Sequence, residues 1–198
     1  MAIVDYGTSN LTSVVKALRA AGLEPSVAKT VRDVSDAAGL VVPGVGHFNA
    51  TLALDDDWRA SVLASVARGV PLLGICLGMQ WLFEGSEEAP GVRGLGALDG
   101  RIVRLTGNVK IPHVGWNALR QSAPSPLFEG LADGAEVYFT HSFAAPISAA
   151  TIATSEHGTV FSSVVSLGRV TGMQFHPEKS GAAGITLLRN WASQVAAC

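Results

Sequence analysis

Charge is scarce in this 198-residue chain: Asp, Glu, Lys and Arg together make 15% of it, and the formal net charge is -2. A weakly acidic balance offers no electrostatic footing for nucleic acid or an anionic membrane. The mean hydropathy of +0.33 instead points to strands buried on both faces, as in a parallel sheet. Cysteine is nearly absent. Of the two present, one is the last residue, so no disulfide framework is expected and a reducing cytoplasm fits best. The opening Met1-Ala-Ile-Val-Asp5 lacks a basic segment, and no secretory signal is expected. Ala37–Leu54 and Val137–Ser155 lack charge altogether. Each is interrupted by Pro and His, and neither reads as a spanning helix. No His, Cys or acidic residues have metal-ligand spacing, and the glycines fall in neither G-x-G-x-x-G nor Walker A order. Neither a metal nor a nucleotide cofactor is expected.

What is present is organised around Val70 to Phe83. The apolar run Val70–Ile75 ends in Gly74-Ile-Cys76-Leu-Gly78, and a second apolar segment, Met79–Phe83, follows directly. This reads as a buried strand, a sharp turn and a helix, the G-x-nucleophile-x-G elbow with cysteine as nucleophile. Glycines on either side are required where a turn this tight leaves no room for a Cβ. A sulfur at a helix N-terminus is favoured as thiolate, and the N–H of Leu77 is the natural first oxyanion donor. The rival reading makes Cys76 a small buried hydrophobe.

The first 85 residues alternate strands (Ala2–Tyr6, Pro25–Ala28, Gly39–Val42) with helices (Leu11–Ala21, Asp57–Arg68), the mark of a doubly wound α/β sheet in a single domain over 1–198. Gly85–Gly100 reads as a surface loop. Extended segments follow at 101–105, 109–119, 137–143, 151–154, 160–165 and 170–175, and an amphipathic helix over 181–196 closes the chain.

A base and an acid are needed beside Cys76. His176 follows the strand Val170–Phe175 and is followed by Pro177-Glu178. Residues two apart on an extended segment share a face, which sets the Glu178 carboxylate against the imidazole. Such a carboxylate fixes the tautomer and stabilises the imidazolium. His141 reads either as a substrate contact or as a satisfied core histidine. His113 reads as an interface or packing residue, and His47 and His157 as loop residues. Pro43-Gly-Val-Gly46 ends a strand expected to neighbour the elbow strand, where it can turn the Val45 N–H toward an oxyanion.

Asp5-Tyr-Gly-Thr-Ser-Asn-Leu11, Pro43–Phe48, Gly74–Gln80, Lys110-Ile-Pro-His-Val-Gly-Trp-Asn117, Tyr138–Ser142 and Gln174-Phe-His-Pro-Glu-Lys-Ser180 together resemble the class I (triad) glutamine amidotransferases. Within that family they resemble the glutaminase subunits of imidazole glycerol phosphate synthases. The elbow and His-Pro-Glu carry the class; Lys110–Asn117 and the Pro-Gly-Val-Gly loop carry the subfamily. Thr8-Ser9 and Phe143 depart from the pattern, Phe143 standing where Tyr is usual. The resemblance implies a flavodoxin-like amidotransferase fold with a mostly parallel sheet. It implies catalysis by Cys76, His176 and Glu178, with Val45 and Leu77 as oxyanion donors. Glutamine would lie against Gly44, Gly46, Gln80, His141, Ser142 and Phe143. Asn10, Trp116 and Lys179 match positions at the interface with a separate (β/α)₈-barrel synthase subunit. In that heterodimer the ammonia would pass to the synthase subunit, which makes imidazole glycerol phosphate and aminoimidazole carboxamide ribotide, in histidine biosynthesis. The alternatives are a glutaminase serving vitamin B6 or anthranilate synthesis, a γ-glutamyl hydrolase or cysteine peptidase on a related fold, and a binding module that has lost activity.

Overall fold

The structure, a computed structural model, describes residues 1–7 and 10–196; Thr8, Ser9 and Cys198 lie outside the described residues. In chain order the elements are β1 (Ala2–Val4), α1 (Leu11–Ala20), β2 (Ser26–Ala28), β3 (Leu40–Gly44), α2 (Asp56–Ala67), β4 (Leu72–Cys76), α3 (Leu77–Trp81), β5 (Gly85–Ser86), β6 (Ala89–Arg93), β7 (Arg101–Arg104), β8 (His113–Gln121), β9 (Ala135–His141), β10 (Phe143–Ala144), β11 (Thr151–His157), β12 (Thr159–Leu167), β13 (Val170–Met173) and α4 (Gly181–Ala196).

Among the described residues one large sheet runs β2-β1-β3-β4-β13-β12-β11-β8-β9. The pairs from β2 through β13 are parallel, and this half has the strand order of flavodoxin-like folds. From β13 to β9 every pair is antiparallel. Strands β1, β3, β4 and β13 are buried on both faces. Their alternate residues feed two cores: Ile3, Val41, Leu73, Ile75 and Met173 face one with α1 and α4, while Ala2, Val4, Leu40, Val42 and Leu72 face the other with α2.

Local signals set the helix ends. Asn10 caps α1, its side chain accepting from Ser13 N; Asp55 caps α2, accepting from Trp58 N, with Asp56 and Asp57 favourably placed in the first turn. Gly22 and Gly69, at φ 91° and 94°, take the left-handed conformation that stops each helix.

The stretch 85–100 differs from the loop expected. It holds β5 and β6, which join β7 and β10 in a small second sheet. Strands of two and five residues, the longer carrying Pro90 and Gly91, show no period of two; they pair with each other as a short hairpin turning at Glu87-Glu88, and β5 pairs onward with β7.

Candidate active site

Register brings the pieces together. Gly44 lies opposite Cys76 across the β3–β4 pair, and Met173 opposite Ile75 across β4–β13. The C-terminal ends of three adjacent parallel strands therefore deliver Val45, Cys76 and His176 to one place, the edge at which open α/β sheets bind ligands.

Cys76 is strained, at φ 52° and ψ -109°. It is the one non-glycine residue with positive φ among the described residues. Its neighbours show what holds it there. A Cβ at Gly78 would fall on the Val42 carbonyl oxygen, and one at Gly74 would come within 2.7 Å of Gly78 O and Met79 N. The strand, the turn and the helix thus touch through backbone alone.

His176 Nδ1 meets Glu178 Oε1 at 2.7 Å. The pairing expected from an extended segment is reached another way: Pro177–Lys179 is a 3₁₀ turn, with Pro177 in its first position. The turn is tied to β9. His176 N donates to Tyr138 O (2.9 Å), Tyr138 N donates to Ser180 Oγ (3.0 Å), and Ser180 Oγ donates to His176 O (2.7 Å). Burial works against charge on His176, yet the Cys76 sulfur and then the Glu178 carboxylate outweigh it and push the imidazolium up to about 10. The other ring nitrogen, Nε2, is buried without a protein hydrogen bond and is free to serve the sulfur. A protonated imidazole beside the sulfur is the partner a thiolate needs.

A cleft of about 130 Å³ opens at the nucleophile. Val45, Gly46, Cys76, Leu77, Gln80, His141, Ser142 and Phe143 line it, as do Glu88 and Thr140, which sequence reasoning missed. Glu88 accepts from Phe48 N at 2.7 Å and sits in the segment read as a loop, so no local pattern marked it. Gly44 faces a separate small crevice with Asn10, Val45, His176 and Glu178. A Cβ at Gly44 would collide with Tyr6 Oη, so close approach demands glycine there.

Two expected ligand-binding side chains are engaged within the protein. Gln80 Nε2 donates to Phe143 O (2.8 Å) and to Gln174 Oε1 (3.2 Å). Gln174 in turn points its amide at Cys76 Sγ (3.8 Å). Both ring nitrogens of His141 are taken, Nδ1 by Phe143 O (2.9 Å) and Nε2 by His113 Nδ1 (3.0 Å). His141 therefore has no ring nitrogen to offer a substrate, and burial pushes its pKa down to about 3. His113 packs in the interior between the rings of Phe139 (4.8 Å) and His157 (4.2 Å). His157 ends β11, and His47 caps the 3₁₀ turn Phe48–Ala53. No cluster of three His, Cys, Asp or Glu suited to a metal ion occurs among the described residues.

Two of the expected interface residues, Trp116 and Lys179, gather around Tyr138. Lys179 Nζ lies 5.7 Å from its ring centre, and exposed Trp116 meets it edge-on at 6.0 Å. Exposed Asn10, the third, lines the crevice that His176 and Glu178 also line.

The chain belongs to the class I glutamine amidotransferases, whose family model matches residues 2–195. Within that family it is similar to two proteins named imidazole glycerol phosphate synthase subunit HisH. The one from Deinococcus radiodurans is 43% identical, over 98% of this chain and 93% of that protein. The one from Thermococcus kodakarensis is also 43% identical, over 96% of this chain and 98% of that protein. A solved glutamine amidotransferase shares the fold, with a TM-score of 0.77 at 20% identity and 98% coverage of both chains.

Proposed function

We propose that this chain hydrolyses glutamine to glutamate and ammonia, and that it does so as the glutaminase subunit of an imidazole glycerol phosphate synthase. The observation that carries the chemistry is the strained Cys76 at the mouth of a cleft with the His176–Glu178 pair beside it. The names of the relatives support the choice of synthase over the vitamin B6 and anthranilate systems.

In this reading the Cys76 thiolate attacks the side-chain amide carbon. The N–H groups of Leu77 and Val45 hold the oxyanion; Leu77 opens α3, where N–H groups have no partner in the helix. His176, protonated and oriented by Glu178, passes its proton to the departing nitrogen, which leaves as ammonia. It then takes a proton from water as that water cleaves the thioester to glutamate, and the sulfur is regenerated. Glu88, the one acid lining the cleft, pairs with the substrate's α-ammonium. Gly46, Thr140, Ser142 and Phe143 complete the wall, and Gly44 keeps the Val45 peptide close to Leu77.

Ammonia chemistry needs a consumer, and the relatives' name, subunit of a synthase, supports a second subunit in that role. A barrel subunit docking on Asn10, Trp116 and Lys179 would close the site beside Glu178, as a cytoplasmic heterodimer. The test is an assay of the chain with its barrel subunit. We expect glutamine-dependent synthesis that is lost in Cys76→Ala but restored by ammonium salts. Loss of the ammonium-fed reaction in a correctly assembled Cys76→Ala complex would refute the division of labour.

A further inference from the structure

The buried histidines beside the cleft form a chain whose proton positions are dictated from one end. The Phe143 carbonyl can only accept, so His141 Nδ1, 2.9 Å away, carries a proton. A neutral His141 then presents Nε2 as an acceptor, and His113 Nδ1, 3.0 Å away, must donate to it. Neutral His113 in turn accepts at Nε2, where the Asn117 amide lies at 3.3 Å. The orientation of that amide is fixed independently: Asn117 Nδ2 donates to Glu156 O (2.9 Å), and its oxygen accepts from Ala118 N (2.8 Å). Every donor meets an acceptor from Asn117 to Phe143. His113 and His141 are cross-strand partners in the β8–β9 register, so the chain is built into the sheet.

The far end reaches the chemistry. The same Phe143 carbonyl holds Gln80 Nε2, and Gln80 holds Gln174, whose amide points at Cys76. We propose that His113 is a positioning residue for glutamine hydrolysis, fixing through His141 the Phe143 carbonyl on which Gln80 is docked. The role rests on the glutaminase reading above. His113 itself lines no part of the cleft, and its effect passes through two protein hydrogen bonds to the segment Thr140–Phe143.

Two variants separate positioning from packing. His113→Asn places an amide N–H near the site of Nδ1 and sacrifices the ring stacking; His113→Phe keeps the stacking and removes the donor. In the complex we expect His113→Phe to raise the glutamine KM about tenfold, the effect of stranding a buried acceptor. His113→Asn should lie within about threefold of wild type, a difference small on the same scale. Equal damage from both variants, or an unchanged KM in His113→Phe, would overturn the role. Nitrogen-15 spectra of the His141 ring supply a readout that does not depend on activity. Wild type should show a neutral ring protonated at Nδ1, and His113→Phe should disturb the Nε2 signal; a ring protonated at Nε2 in wild type would overturn the scheme. A wild-type complex inactive toward glutamine would instead refute the underlying reading, and would do so before any variant is compared.

Discussion

The two halves of the large sheet do different work by different means. In the parallel half, β2 through β13, the site is made of backbone: a strained cysteine, two glycines in contact with facing main chain, and strand ends in register. In the antiparallel half, β12 through β9, it is made of side chains: His113, His141 and Asn117 hold one wall of the cleft, and Tyr138 gathers the exposed Trp116 and Lys179. Backbone contact at this distance tolerates almost no substitution. Side-chain networks join distant residues and give way one hydrogen bond at a time.

The largest effect of a single methyl group should therefore lie in the parallel half. Gly78→Ala drives a Cβ into the Val42 carbonyl, and we expect a loss of about 2–3 kcal/mol, a fall in Tm of roughly 5–10 °C by thermal denaturation. Gly91→Ala in β6, where a Cβ meets nothing within 4 Å, should stay within about 0.5 kcal/mol of wild type. Equal stability of the two variants would break the comparison.

Glu178→Gln tests the hinge between the halves. Turnover should fall roughly 10²–10⁴-fold, less than in Cys76→Ala, because nucleophile, base and oxyanion donors remain. Glu178 is one of the groups that raise His176 from 6.5 to about 10, so the alkaline limb of the pH profile should move to lower pH. The sign for stability is the same. A raised pKa contributes fully below 6.5 and is lost as pH climbs through about 10, so the variant should lose stability chiefly below the alkaline range. An unmoved alkaline limb would mean that the carboxylate does not govern the imidazole.

Smaller effects belong to the antiparallel half. Lys179→Ala should weaken binding of the barrel subunit by a few-fold, the scale of an exposed charge, measured by titration calorimetry. Burial, first of all, lowers His113 to about 4 and His141 to about 3. Depressed groups contribute stability above 6.5 that is lost as pH falls through those values. Denaturant unfolding between pH 7 and 4 should therefore show a steep acid loss in wild type and a shallower one in His113→Phe.

The same division explains what the sequence disclosed. Alternating strands and helices through residue 85 disclosed the flavodoxin-like half, and the elbow and His-Pro-Glu marked Cys76, His176 and Glu178, which the fold brings together, because each motif lies within a few consecutive residues. An extended segment predicts the His176–Glu178 contact from the sequence; a proline-started 3₁₀ turn produces it instead. Glu88 and Gln174 were not legible, and of the two readings open for His141 the structure shows the satisfied one. Glu88 sits in the turn between two short strands without periodicity, Gln174 reaches Cys76 across 98 positions, and His141 meets His113 across 28.

The central claim is that Cys76, in a cleft shaped for glutamine, is the nucleophile. Its most direct test is labelling of the complex with an electrophilic glutamine analogue, followed by peptide mass spectrometry. The account predicts one equivalent of label, on Cys76, prevented by excess glutamine and not by asparagine. Label on another residue, or label on Cys76 that glutamine fails to prevent, would contradict it.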